Sequence, residues 1–181
     1  MIGAMVIDLH AHSTASDGTD TPAQLIAAAE SAGVDVLAIT DHDTTAGWDE
    51  AFAARPESMT IVPGAEFSCV YRPDEGRRVS LHLLGYLFDP NDEALRAERA
   101  RLRASRRQRG RQMVENMAAD SVPISWAQVS ALAGDGAVGR PHIGRALVES
   151  GVVPDVNTAF HDLLSSSRRY YVRQVAPDVF D

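Results

Sequence analysis

Residues 34–40, VDVLAIT, form an almost unbroken apolar run of strand length. Such a run has no polar face to offer water, so it belongs in a parallel sheet covered on both sides, and the chain must supply helices to cover it. The flanking sequence does so. Thr21-Pro22-Ala23-Gln24 reads as a capping box with proline at the first helical position, opening a helix that stops at Gly33. A second helical stretch follows Thr45 and ends before Pro56. MVIDLH (5–10) reads as a buried strand, and MTIVPGAEFS (59–68) and VSLHLLGYLF (79–88) are also strand-like. The order β-α-β-α-β-β predicts an α/β domain with a mostly parallel sheet.

After Pro90 the character changes. One long charged helical pattern runs from Asn91 to about Met117, with Leu95, Leu102, Met113 and Met117 on its sparse apolar side. Further helices are expected from Ser125, from Arg140-Pro141 and from Asn157, while YYVRQV (170–175) returns to strand character. The expected organisation is therefore 1–90 as the α/β part, 91–167 as an all-helical insertion and 168–181 as the return.

Charge matters in one place. The net charge is −8 and the 17 basic residues are all arginine. Eight of them fall between Arg96 and Arg111. Arginine suits bidentate phosphate contact but serves equally on a solvated helix face. An acidic chain with one basic segment can draw a phosphorylated substrate locally while repelling bulk nucleic acid, so no stable DNA binding is expected. No apolar stretch has the roughly 20 residues of a membrane span, and no export signal is present. Cys69 is the single cysteine and excludes an internal disulfide, which fits a cytoplasmic setting.

Residues of metal-ligand type collect where the strands should end. His10 and His12, in DLHAHSTASDG, lie two apart and point to one side of an extended chain. Asp41, His42 and Asp43 follow VLAIT directly, Glu66 follows IVPGA, and His82 lies in the fourth strand. The carboxyl ends of parallel strands converge on one rim, where ligands bind. Taken singly these residues have plain structural roles: His82 as a sheet histidine, Glu66 as a partner for arginine, Asp17 as a turn residue. Together, each at the matching end of a strand, they make a metal site of imidazole and carboxylate suited to zinc, manganese or iron.

DLHAHSTASDG, ITDHDT, PGAEFS and LHLLGY resemble, in order and spacing, the successive motifs of the PHP (polymerase and histidinol phosphatase) superfamily. The helical block with GRPHIG is similar to the branch of metal-dependent phosphoesterases acting on nucleotides and RNA 5′ ends. The resemblance implies a distorted (β/α)7 barrel, here partial, with two to three divalent metals (Mn2+, Zn2+ or Fe2+, with Mg2+ admissible) at its rim. It gives His10, His12 and Glu66 to one metal, a bridging Glu66 with His82 to a second, and Asp17 with His42 to a third. Asp8, Asp41 and Asp43 are expected to orient the histidines, and Arg140 and His142 of GRPHIG to meet substrate phosphate at a helix start. No Ser or Cys is placed as a nucleophile; a hydroxide held between cations would attack phosphorus.

The implied activity is hydrolysis of nucleotide phosphate esters, such as 3′,5′-bisphosphates and nucleoside monophosphates, or of short RNA at its 5′ end. The alternatives are a small-metabolite phosphatase of histidinol-phosphatase type and a non-catalytic metal-binding module. The family pattern continues with a His-Pro motif and a closing Asp-x-His type motif, which this sequence lacks. The resemblance therefore implies a shortened form that binds metal weakly and whose strands near VDVLAIT expose apolar surface or an unpaired edge.

Overall fold

The computed structural model describes residues 5–74 and 78–180. The chain divides into two compact units, residues 1–101 with 176–181, and residues 102–175.

The first unit is built on a four-stranded sheet of order β1-β2-β3-β4. β1 (Ile7–Ala11), β2 (Val36–Ile39) and the first third of β3 (Thr60–Tyr71) are parallel, and β4 (Val79–Tyr86) returns antiparallel to the rest of β3. α1 (Pro22–Ser31) and α2 (Trp48–Ala53) lie between the parallel strands in sequence, as crossovers in a parallel sheet require. The expected box closes α1: Thr21 accepts from the Gln24 N–H while the Gln24 side chain accepts from the Thr21 N–H. The core joins Ile26, Leu37, Ile39, Trp48, Met59 and Ile61. The Trp48 indole N–H donates to the Gly64 carbonyl at 2.9 Å, which ties α2 to β3.

One expectation about burial is corrected. MVIDLH is not a buried strand: β1 is an edge of the sheet, with Ile7 55% and Leu9 42% exposed. β2 itself runs between β1 and β3 with Leu37, Ala38 and Ile39 buried, so the apolar exposure expected near VDVLAIT falls on its edge neighbour β1. The other edge strand also carries exposed apolar side chains, among them Val79 and Leu83 on β4. Apolar content alone cannot distinguish an edge strand from a central one.

The second unit is helical. It takes the later turns of α3 (Glu93–Ala119), then α4 (Trp126–Ala133), α5 (Arg140–Glu149) and α6 (Val156–Ala159), the last passing into a π-helical turn at Phe160–Leu164. Ser125 and Gln128 form the second expected capping box. α6 is capped by Asp155, whose carboxylate accepts from the Thr158 N–H at 2.7 Å. Met113, Met117, Val129, Ile143, Leu147 and Leu164 form the core.

Residues 170–175 are not a strand. Tyr170 and Val172 pack on the helical core, the Val172 carbonyl accepts from Arg109 Nε, and the Val175 carbonyl accepts from the Ser105 hydroxyl. The alternating pattern serves helix packing, not a ladder. Sheet-like pairing comes only afterwards in the chain, where Val70 N–H donates to Pro177 and Val179 N–H to Val70.

The arginine run is largely knitted into its own fold. Arg99 donates to the Pro90 carbonyl and lies over Phe88, and Arg101 pairs with Glu98. Arg107 lies over Trp126 and donates to Ser130, Arg109 donates to Val172 and Gln174, and Arg111 pairs with Glu115. Among the described residues no helix is long and apolar enough to cross a membrane.

Candidate metal centre

Four local devices bring the ligand-type residues of the first unit together. At the end of β1 the register with β2 slips between Asp8 and Ala11, and such an irregularity re-aims the side chains on it. His10 lies in that irregular stretch and His12 follows directly after the strand. After β2, the chain at 41–43 zips onto β3: the Glu66 N–H donates to the Asp41 carbonyl and the Asp43 N–H to the Glu66 carbonyl. That bridge sets His42 beside Glu66. Asp43 adopts the left-handed conformation (φ 54°), which aspartate tolerates better than most residues. In the β3–β4 ladder Glu66 faces Leu84 and Ser68 faces His82, so Glu66 and His82 are diagonal neighbours on one sheet face. The loop 13–18 then returns Asp17 to the same place, through a turn in which a Cβ on Gly18 would meet the His12 carbonyl oxygen at 2.4 Å.

Glu66 is the hub. Its Oε2 lies 2.6 Å from His10 Nε2, 2.9 Å from His12 Nε2 and 3.7 Å from His42 Nδ1, and its Oε1 contacts His82 Nδ1. Asp17 adds a second carboxylate, 3.5 Å from His42 Nε2 and 3.9 Å from His12 Nδ1. Three triads have ligand atoms within 4.8 Å of one another: His10–His12–Glu66, His12–Asp17–His42 and His42–Glu66–His82. All six residues expected from the sequence are thus gathered. The Glu66 side chain is only 4% exposed, whereas His10 and His82 are 50% and 42% exposed. The cluster therefore has a buried carboxylate floor and a rim open to solvent.

The electrostatics follow from this crowding. Burial pushes the Glu66 pKa up, but hydrogen bonds from His12 and His82, the charge of His42 and the His10 contact outweigh it and hold Glu66 well below the ordinary carboxylate range. Burial pulls the His12 pKa down, while the Glu66 hydrogen bond and the carboxylates of Asp17, Glu66 and Asp41 leave it raised on balance. The cluster has an excess of imidazoles around an ionised carboxylate, with lone pairs converging on a small volume. That is a donor set of imidazole and carboxylate able to hold a divalent metal ion.

The three aspartates expected to orient the histidines bond to backbone and serine groups. Asp8 accepts from the His10 backbone N–H at 3.0 Å. Asp41 accepts from the Ser13 N–H and hydroxyl and from the Ser16 hydroxyl. Asp43 accepts from the Ser68 N–H and hydroxyl. Ser13, Ser16 and Ser68 were not singled out by sequence reasoning, because a serine in a loop or strand carries no spacing signal.

GRPHIG departs from expectation. His142 is 2% exposed, and its Nδ1 accepts from the Gly139 N–H at 3.0 Å, closing the start of α5 as a capping residue. Burial pushes its pKa down to about 4, with the Arg145 charge adding to the effect. A buried neutral imidazole is not the exposed phosphate contact expected. Arg140 donates to the Leu164 carbonyl at 3.2 Å and lies over the Phe160 and Tyr171 rings.

Comparison with known proteins agrees with this geometry. The PHP domain model matches residues 8–123. The 5′-3′ exoribonuclease Rnm of Salmonella typhimurium is 37% identical over 93% of this chain and 57% of its own length. The 3′,5′-nucleoside bisphosphate phosphatase of Chromobacterium violaceum is 34% identical over 92% of this chain and 57% of its own. A crystal structure described as a metal-dependent phosphoesterase from Bifidobacterium adolescentis superposes with a TM-score of 0.88 at 38% identity, covering 97% of this chain and 61% of that one. The chain therefore spans less than two thirds of the length of these relatives. With the motifs, the curled α/β sheet of a partial barrel and the matched family model in agreement, the chain belongs to the PHP domain family.

Proposed function

We propose that the protein is a metal-dependent phosphoesterase acting on nucleotide phosphate esters, with 3′,5′-bisphosphates and the 5′ ends of short RNA as its substrate class. The observation that carries the reading is the convergence of four imidazoles on the buried Glu66 carboxylate, with Asp17 closing the cluster. Relatives named for RNA and for nucleoside bisphosphates support the substrate class.

His10, His12 and Glu66 would hold one divalent cation, His42, Glu66 and His82 a second, and His12, Asp17 and His42 surround a third position. Manganese, zinc or iron bound there supplies Lewis acidity toward phosphoryl oxygens and lowers the pKa of water. The chain's own part is preorganisation. Glu66 stays ionised at the floor because the surrounding imidazoles favour its charge, so its two oxygens remain available to two neighbouring positions. The open rim at His10 and His82 leaves room for a phosphoryl group to approach. The arginines of α3, committed largely to their own fold, leave attraction of phosphate mainly to the cluster. A cytoplasmic location suits a chain with one buried, unpaired cysteine.

The test is a panel of nucleoside 3′,5′-bisphosphates, 5′-phosphorylated oligoribonucleotides and histidinol phosphate, assayed with Mn2+. Metal-dependent phosphate or mononucleotide release from the first two groups is expected, and Glu66→Gln should lose both bound metal and turnover while circular dichroism stays unchanged. Release from histidinol phosphate alone would move the protein to the metabolite phosphatases. Full metal content in Glu66→Gln would remove Glu66 from the centre of the site.

A further inference from the structure

We infer that Ser16, held by Asp41, is a positioning residue for His12: it receives the His12 Nδ1–H and so leaves Nε2, the nitrogen facing Glu66, as the one that would bind a metal. The inference rests on the metal reading of the cluster and deepens it.

The Asp41 side chain is the acceptor in all three of its contacts. Its Oδ1 takes the Ser13 backbone N–H at 2.7 Å and faces the Ser16 hydroxyl at 2.6 Å, while its Oδ2 faces the Ser13 hydroxyl at 2.7 Å. The Ser13 oxygen also receives the Ala15 N–H at 3.1 Å, so the Ser13 proton is directed to Asp41. The Ser16 hydroxyl has one proton, and its 2.6 Å contact directs that proton to Asp41 as well. Ser16 Oγ then has only lone pairs left, and it sits 3.4 Å from His12 Nδ1. That approach is favourable only if Nδ1 carries the hydrogen. With the hydrogen on Nδ1 engaged by Ser16, Nε2, the atom 2.9 Å from Glu66 and 3.1 Å from His10 Nε2, is the nitrogen that would give up its hydrogen to take a metal. A metal-ligating histidine is commonly fixed in this way by an acceptor on its other nitrogen. Asp17 Oδ1 also faces Nδ1, but at the longer distance of 3.9 Å.

The relay is rigid. Ser13 and Ser16 are fully buried and Asp41 is 1% exposed. A Cβ on Gly47 would lie 3.1 Å from Asp41 Oδ2 and 3.2 Å from the Ser13 hydroxyl, so the backbone of another segment closes over the carboxylate. Burial and the commitment of its proton also exclude Ser16 as a nucleophile, despite its place beside a histidine.

The experiment measures Zn2+ affinity by competition with a chromophoric chelator, for the wild-type chain, Ser16→Ala and Ser13→Ala. It is joined to 15N-edited NMR of the histidine rings in the zinc-loaded protein. Ser16→Ala should bind zinc about ten- to a hundredfold more weakly, with the metal-free circular dichroism unchanged. Ser13→Ala removes a bond to the same carboxylate without touching His12, and should lose much less affinity. Zinc-loaded wild type should show a His12 Nδ1–H protected from solvent exchange, and that protection should disappear in Ser16→Ala. Equal zinc affinity in wild type and Ser16→Ala would overturn the relay alone. So would a wild-type His12 carrying its hydrogen on Nε2, a result that needs no variant to fold. A wild-type chain that takes up no zinc would overturn the metal reading and the relay with it.

Discussion

Acidification should weaken the helical unit through one residue. His142 is almost fully buried and neutral, with Nδ1 accepting the Gly139 N–H that opens α5. Burial, helped by the Arg145 charge, takes its pKa from 6.5 in the unfolded chain down to about 4. Between those two values the unfolded chain binds the proton and the folded one does not, so stability falls as pH drops through 6.5 and levels off below 4. At about 1.4 kcal/mol per pH unit the full loss comes to roughly 3 kcal/mol, a large part of a typical domain's stability. His142→Gln isolates the effect, because glutamine at the third helical position can still accept the capping N–H but does not titrate. Urea unfolding followed by circular dichroism should find the variant about 1–2 kcal/mol less stable at neutral pH, from lost ring packing. The gap should close or reverse toward acid pH. Groups in the cluster around Glu66 titrate in both proteins and drop out of the difference. Parallel stability profiles for wild type and His142→Gln would refute the reasoning.

Two further substitutions test how the site and the helical unit are held. Asp43→Ala leaves the Ser68 N–H and hydroxyl without the acceptor the structure gives them and puts alanine at φ 54°. The expected cost is roughly 2–4 kcal/mol, read as a lower melting temperature; a melt within error of wild type would free β3 from this anchor. Arg140→Ala removes a hydrogen bond to Leu164 and two ring contacts, for a loss of about 1–2 kcal/mol in urea unfolding. Kinetics on the folded fraction then separates its roles: unchanged kcat/KM leaves Arg140 structural, and a loss of about tenfold or more makes it a phosphate contact.

Local rules made much of this protein legible in its sequence. Capping boxes at Thr21 and Ser125 and the proline of Arg140-Pro141 act within one helical turn, so the residues themselves fix where α1, α4 and α5 begin. His10, His12, His42 and Glu66 could be named because strand ends of a parallel sheet share one rim, and the resemblance of the motifs added Asp17 and His82. Tertiary structure decided what depends on neighbours distant in the chain. Whether β1 lies at an edge, and whether YYVRQV packs as a strand or as loop against helices, turns on what covers each side chain. His142 of GRPHIG was expected to meet substrate phosphate, yet its burial makes it a neutral cap. Ser16 carried no signal at all, because its role rests on a proton given to Asp41, 25 residues further along the chain, which only the fold brings within 2.6 Å.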